Sequence, residues 1–121
     1  MLVRMCSGCD LYGGASGGGC MERVVRVVAR RGERPPPLSL SVGTVLVVSA
    51  EASPHQPWQA LTSSDDSVLE CESWPGSQGS LEARCVALRP GEASVATVTS
   101  AFAGDPYGPQ QFRWLLKVTV C

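Results

Sequence analysis

The order of hydrophobic and polar residues predicts a chain built from short β-strands. From about Met21 onward, apolar segments alternate with turn signals rich in Gly, Pro, Ser and Asp, a spacing typical of all-β domains. The clearest pattern lies at the C-terminal end, where every second residue is apolar: Phe112, Trp114, Leu116, Val118 and Val120. A period of two places one face of a strand in the core and the other in water.

The same reasoning predicts seven or eight strands and no convincing helix. The predicted strands cover residues 23–30, 38–42, 44–50, 58–62, 68–72, 81–88, 92–100 and 112–120. The proline run at 35–37 ends the first of them, since proline cannot donate to a β-ladder. Many half-buried strands bury their apolar faces by packing two sheets together. We therefore predict an all-β, immunoglobulin-like two-sheet sandwich over residues 22–121.

Residues 1–21 have a different composition and are predicted to form a flexible Gly/Cys-rich arm. Six of the 15 residues from Cys6 to Cys20 are glycine. Glycine loses more conformational entropy on ordering than any other residue, so this stretch is a poor strand or helix former. We expect it to be held only through its cysteines.

Two of the six cysteines are predicted to form a disulfide across a hairpin. Cys71 and Cys85 are symmetric about the turn at 75–79, so strands on either side of that turn place them directly opposite each other. Opposite residues in an antiparallel pair lie within the range of a disulfide. Alternation places both in the core, and two buried free thiols are the alternative.

The other four cysteines, Cys6, Cys9, Cys20 and Cys121, allow three pairings, and Cys121 could hold the arm through one of the others. A zinc site is the alternative, because Cys6-x-x-Cys9 has the spacing of a zinc knuckle. A second close pair is missing, so we predict neither a metal nor a cofactor.

Charge and hydropathy narrow the class of protein. Ten Lys and Arg against 11 Asp and Glu give a net charge of -1, which does not fit a generally basic nucleic-acid binder. No apolar run approaches the roughly 18 residues of a membrane span, and no signal peptide is seen. Disulfides persist in oxidising compartments, so we expect an extracytoplasmic location.

The polar residues do not suggest an enzyme. His55 is the only imidazole, and no Ser or Cys is identified as a nucleophile beside it. Asp65 and Asp66 lie in a turn, where carboxylates usually cap backbone N–H groups. Calcium binding there is the alternative.

The arginines between Arg23 and Arg34 fit an edge strand protected by outward charge. Recognition of an acidic partner is the alternative.

Aromatic and proline residues in the loops are the candidate binding residues. Trp74 and Tyr107 lie in Pro/Gly-rich segments, and aromatic residues on loops of a rigid sandwich are typical anchors for a protein partner. Pro54, His55 and Pro106 complete the candidate set. Trp58 and Trp114 are predicted to lie in the core.

Three motifs resemble bacterial Ig-like domains. They are residues 40–47 (LSVGTVLV), 58–69 (WQALTSSDDSVL) and 86–95 (VALRPGEASV). This resemblance covers about residues 38–121 and implies a sandwich rather than an activity. It favours a non-catalytic extracytoplasmic module that binds a protein or has a structural role.

The layout is also similar to the chagasin-like inhibitors of papain-type cysteine proteases, which use three loops at one end of an Ig-like sandwich to fill an active-site cleft. The corresponding segments here are 52–57 (ASPHQP), 74–79 (WPGSQG) and 102–107 (FAGDPY). These segments match the family motifs in part, at Pro54, Gly76, Gly79 and Pro106-Tyr107. A divergent inhibitor of this kind is therefore the alternative function.

Overall fold

The fold was analysed in a computed structural model that describes residues 23–101 and 111–121. These residues form eight strands and one turn of 3-10 helix, Ser77–Gly79. The strands are β1 (Val24–Ala29), β2 (Leu38–Leu40), β3 (Val45–Ala50), β4 (Thr62–Ser63), β5 (Leu69–Pro75), β6 (Leu81–Ala87), β7 (Gly91–Val98) and β8 (Arg113–Val120). The predicted all-β class and strand number are confirmed. The predicted arm, residues 1–21, lies outside the described residues.

The strands form two four-stranded sheets, in the orders β1-β3-β6-β5 and β2-β8-β7-β4. The pairs β1/β3 and β2/β8 are parallel, and the other pairs are antiparallel. The inner faces of both sheets form one core, because alternation directs every second side chain inward. Its largest fully buried side chains include Leu46, Leu69, Trp114 and Leu116. The predicted immunoglobulin-like sandwich is thus the observed architecture.

Most strand bounds differ from the prediction by one or two residues, and three differences affect the fold. β2 ends at Leu40, and Val42 is 48% exposed instead of continuing the alternation. The strand predicted at 58–62 is reduced to Thr62–Ser63, while Trp58 forms an isolated bridge with Thr99. β5 continues to Pro75, which it can do because it lies at the edge of its sheet, where a proline is tolerated.

β1 lies at the other edge of the same sheet, as the arginine pattern predicts. Arg23, Arg26 and Arg30 are exposed there, while Val25 and Val27 pack against the core. Charge along an exposed edge opposes pairing with other chains.

The predicted Cys71–Cys85 disulfide is present, with the two Cα atoms 4.0 Å apart. The residues are directly opposite in the β5/β6 register. Cys85 is fully buried, and Cys71 is half-buried against the core. Cys121 is disulfide-bonded as well, whereas Cys6, Cys9 and Cys20 lie outside the described residues.

Among the described residues, no three His, Cys, Asp or Glu side chains are grouped so that they could hold a metal ion. The same part of the chain has no helix long and apolar enough to cross a membrane.

Candidate functional site

Three connections meet at one end of the sandwich, which we call the loop end. They are loop 1 (residues 51–61, between β3 and β4), loop 2 (residues 76–80, between β5 and β6) and loop 3 (residues 99–112, between β7 and β8). The strand registers place loops 1 and 2 together, because Ala50 is opposite Leu81 and Leu81 is opposite Pro75. The isolated bridge between Trp58 and Thr99 joins loop 1 to the start of loop 3. Loop 3 is described only at its two ends, residues 99–101 and 111–112.

Backbone hydrogen bonds join loop 1 to loop 2. The N–H of Ser53 donates to the carbonyl oxygen of Gln78 at 2.9 Å, and that of Trp58 donates to the carbonyl oxygen of Gly79 at 3.2 Å. Gly79 has a φ of 74°, and a Cβ there would collide with the Ser53 carbonyl oxygen and lie 3.2 Å from Pro57 Cα. Both the dihedral and the close approach therefore require glycine at this junction.

Loop 1 is also bonded to the start of loop 3. The carbonyl oxygen of Pro57 accepts hydrogen bonds from the N–H of Ser100 at 2.8 Å and from Ser100 Oγ at 2.9 Å. The N–H of Gln59 donates to Val98 at 2.9 Å. Loop 1 is thus the central element, fixed to both of its neighbours.

The buried Thr99 closes the base of loop 3. Its N–H donates to the carbonyl oxygen of Phe112 at 2.9 Å, and its hydroxyl accepts from the N–H of Phe112 at 2.8 Å. Gln111 Nε2 donates to the Thr99 carbonyl oxygen at 2.8 Å. These bonds hold the two ends of loop 3 together.

Buried residues of loop 1 support an exposed turn at its tip. Trp58 Nε1 donates to the carbonyl oxygen of Glu51 at 2.7 Å, which closes the loop on itself. Ser53 and Gln56 are buried, and the N–H of Gln56 donates to the Ser53 carbonyl oxygen at 3.2 Å. Between them, Pro54 and His55 form an exposed turn. The two candidate residues of loop 1 therefore lie on the surface at the loop end.

An ion pair holds the first residue of loop 1. The N–H and Nε of Arg31 donate to Glu51 Oε2 at 2.8 and 3.3 Å. The backbone hydrogen bond is the main cause that holds the pKa of Glu51 below its ordinary value, and the guanidinium adds to it. The loop end is in this way connected to the turn that follows β1.

Trp74 lies in β5 and not in a loop, which corrects the prediction from its Pro/Gly-rich surroundings. It faces outward opposite Glu82, near the end of an edge strand that leads into loop 2, and it is 47% exposed. The extension of β5 to Pro75 gives it a strand conformation. Tyr107 and Pro106 lie outside the described residues. Trp58 and Trp114 are buried, as predicted.

Sequence reasoning did not identify the residues that hold the loops in place. Ser53 and Gln56 are polar and buried, and polar residues beside prolines carry no periodicity that would distinguish a buried anchor from a solvated loop. Thr99 is also polar and buried, but it continues the alternation of Val95 and Thr97. The sequence signal at Gly79 is its match to a glycine of a family motif. The available signal for Ser53 and Gln56 was the clustering of Pro54 and Pro57 around them.

The Asp65 carboxylate accepts hydrogen bonds within its own turn, as predicted for a carboxylate in a turn. Asp65 Oδ1 accepts from the Ser67 hydroxyl at 2.6 Å and from the Ser67 N–H at 3.0 Å. These two bonds are the main reason that the pKa of Asp65 is lowered. Arg89 Nη2 donates to the Ser67 hydroxyl at 2.8 Å, which stabilises the turn further.

Comparison with known proteins gives no match to a family model and none to a curated protein. Solved structures do match. Amebosin has a TM-score of 0.54 at 15% identity, covering 79% of this chain and 98% of its own. The cysteine protease inhibitor EhICP2 from Entamoeba histolytica has a TM-score of 0.55 at 9% identity, covering 81% and 97%. PbICP-C, solved in complex with falcipain-2, has a TM-score of 0.51 at 14% identity, covering 82% and 99%.

The chain shares an immunoglobulin-like β-sandwich fold with these structures. The structural likeness supports the chagasin-like resemblance and not the one to bacterial Ig-like domains. Among these neighbours, EhICP2 is a cysteine protease inhibitor.

Proposed function

We propose that the chain is an inhibitor of papain-type cysteine proteases that acts through the loop end. This is the alternative function from the sequence, and the structural neighbours favour it over a binding module with no particular partner. The observation that carries the proposal is the joining of three loops by hydrogen bonds at one end of a fold shared with a cysteine protease inhibitor.

The proposed mechanism is occlusion of the active-site cleft without a covalent step. A loop that is already ordered loses little conformational entropy on binding, so its contacts contribute more fully to affinity. Loop 1 meets this condition, since its backbone is bonded to loops 2 and 3 and Trp58 closes it internally. Pro54 at the exposed tip is rigid as well, because its ring fixes φ.

In this proposal, Pro54 and His55 enter the cleft at its centre, while Trp74 contacts the rim from the outer face of β5. A half-exposed tryptophan near the end of the strand that leads into loop 2 is a typical site of large binding energy. Tyr107 and Pro106 belong to the sequence of loop 3 and lie outside the described residues.

Papain titrated with the protein tests the proposal directly. We expect stoichiometric inhibition that is competitive with a small peptide substrate. The double variant Pro54→Ala/His55→Ala and the variant Trp74→Ala should each weaken inhibition by about tenfold or more, as expected for central interface residues. Both should remain folded, which thermal unfolding of each variant can check.

Leu88→Ala is the matched control. Leu88 is 44% exposed and follows β6 at the end opposite the loops, so its removal should leave inhibition unchanged. Equal weakening by Leu88→Ala and by the loop variants would contradict a role for the loop end.

We also propose an extracytoplasmic location, supported by the Cys71–Cys85 disulfide and by the bonded Cys121. Alkylation of the protein taken directly from cells, without reductant, should leave these three cysteines unmodified in the intact mass. Modification of Cys71 and Cys85 under those conditions would contradict it.

A further inference from the structure

One strand edge near the loop end is open over most of its length. β8 is an interior strand only where β2 pairs with it, at Val118–Val120. From Arg113 to Lys117 it pairs with β7 on one side only. Unpaired strand edges bind added strands readily, so native proteins usually cover or charge them.

The proline run explains why this edge is open. Continuing the parallel β2/β8 register backwards from Leu38 would place Pro37 opposite Lys117 and Pro35 opposite Leu115. Proline has no N–H to donate to the ladder. The segment before β2 therefore runs beside β8 without pairing with it.

The backbone polar groups of alternate β8 residues point toward the open edge. At the end of the strand, the N–H of Cys121 donates to the Leu40 carbonyl oxygen on the β2 side at 2.9 Å. Because the direction of these groups alternates along a strand, the N–H and C=O of Arg113, Leu115 and Lys117 point the same way.

A groove of about 570 Å³ lies between this edge and the proline segment. Its walls are formed by Glu33, Arg34, Pro35, Pro37, Arg113, Leu115 and Lys117. Leu115 is 48% exposed at its centre. Among the described residues, Arg34, Arg113 and Lys117 line the groove as cations without an ion-pair partner.

We propose that this groove binds an extended, acidic peptide segment of a partner protein by strand addition to β8. Directly opposite residues of paired strands share one face of the sheet and interact. Acidic residues would lie opposite Arg113 and Lys117, and an apolar residue opposite Leu115. The recognised pattern is therefore acidic-x-apolar-x-acidic.

Charge argues against a second copy of the chain as the occupant. Antiparallel self-pairing centred on Leu115 would place Arg113 of one copy beside Lys117 of the other, and like charges directly opposite are destabilising. The acidic segment instead meets three cations against the single carboxylate of Glu33. The inference does not depend on the proposed inhibition, since none of the groove residues belongs to loops 1, 2 or 3.

Binding of the synthetic peptide Thr-Asp-Thr-Val-Thr-Glu-Thr to the full chain, without protease, tests the inference. In ¹⁵N-labelled protein we expect saturable amide shifts at Arg113, Leu115 and Lys117. The same peptide with Lys in place of Asp and Glu should not produce them. No shifts at these amides up to millimolar peptide, or equal binding of the lysine peptide, would overturn the proposal.

Two pairs of variants separate strand addition from simple charge attraction. Leu115→Pro removes the central edge donor and Leu115→Ala keeps it, so the proline variant should bind about tenfold more weakly than the alanine variant. Arg113→Glu/Lys117→Glu should weaken binding by about tenfold or more, while Arg26→Glu on β1 should not.

Unchanged binding by the charge-reversal variant would overturn the proposal even if Leu115→Pro fails to fold. A dimer of the free chain in sedimentation would favour self-pairing and contradict it as well.

Discussion

Ser53 and Gln78 are joined by a backbone hydrogen bond of 2.9 Å that fixes loop 1 to loop 2. Gln78 has a φ of 57°, a left-handed conformation that non-glycine residues adopt rarely. The bond and the conformation place the next residue, Gly79, against the loop 1 backbone.

Gly79→Ala should destabilise the protein by about 3 kcal/mol and weaken protease inhibition. Its φ of 74° is strained for alanine, and the new Cβ would collide with the Ser53 carbonyl oxygen. Gly32→Ala is the matched control, because Gly32 has a φ of 78° and nothing within 4 Å of the added Cβ. It should cost only about 1 kcal/mol. Urea unfolding measures both, and equal losses would show that Gly79 is required for its dihedral alone.

Trp58→Phe should cost more stability than Trp114→Phe. Both tryptophans are buried and lose the same volume, but Trp58 Nε1 donates to the Glu51 carbonyl oxygen at 2.7 Å. Trp114 Nε1 has no hydrogen-bond partner among the described residues. An acceptor left unsatisfied costs about 1–3 kcal/mol, so the two free energies of unfolding should differ by about that amount. A larger loss for Trp114→Phe would contradict the role assigned to the Trp58 hydrogen bond.

Replacement of both Cys71 and Cys85 by Ala should lower the free energy of unfolding by about 3 kcal/mol, because the disulfide restricts the unfolded chain. The residues on either side of the pair are already in β-sheet register, so the native strands should remain. Unfolding of the variant and of the oxidised wild type in urea gives the difference. A loss below about 1 kcal/mol would show that the sheet register alone holds this hairpin.

Glu51 should make stability depend on acid pH. Its pKa is lower in the folded chain than its ordinary value of 4.5, first because it accepts a backbone hydrogen bond from Arg31. The stabilisation is therefore complete above that ordinary value and is lost as pH falls through the lower folded pKa. In Glu51→Gln this part of the pH dependence should disappear, as thermal unfolding between acid and neutral pH can measure. An unchanged pH profile in the variant would assign acid sensitivity to other groups, such as Asp65.

The sequence predicted the parts of this protein that are repetitive and missed those that depend on single contacts. Alternation in β8 and the symmetry of Cys71 and Cys85 follow from the period of a strand, which any window of residues reveals. The strand conformation of Trp74 was missed because Pro75 and Gly76 are turn signals, yet an edge strand tolerates the proline.

The sequence indicates which loops carry the candidate residues, but it does not reveal the contacts that hold those loops together. The sequence predicts a loop at Pro54 and His55, and both are exposed in a turn. The junction beneath them rests on the φ of Gly79 and on the burial of Ser53, and both are set by residues more than 20 positions apart. Local hydrophobic patterns do not predict contacts between residues so far apart in the sequence.

The most direct test of the central claim is the inhibition constant for papain, measured with the wild type, Pro54→Ala/His55→Ala and Leu88→Ala in parallel. The account predicts competitive inhibition by the wild type and Leu88→Ala and about tenfold or more weaker inhibition by the loop variant, with all three proteins folded. No inhibition by the folded wild type at micromolar concentration would contradict it.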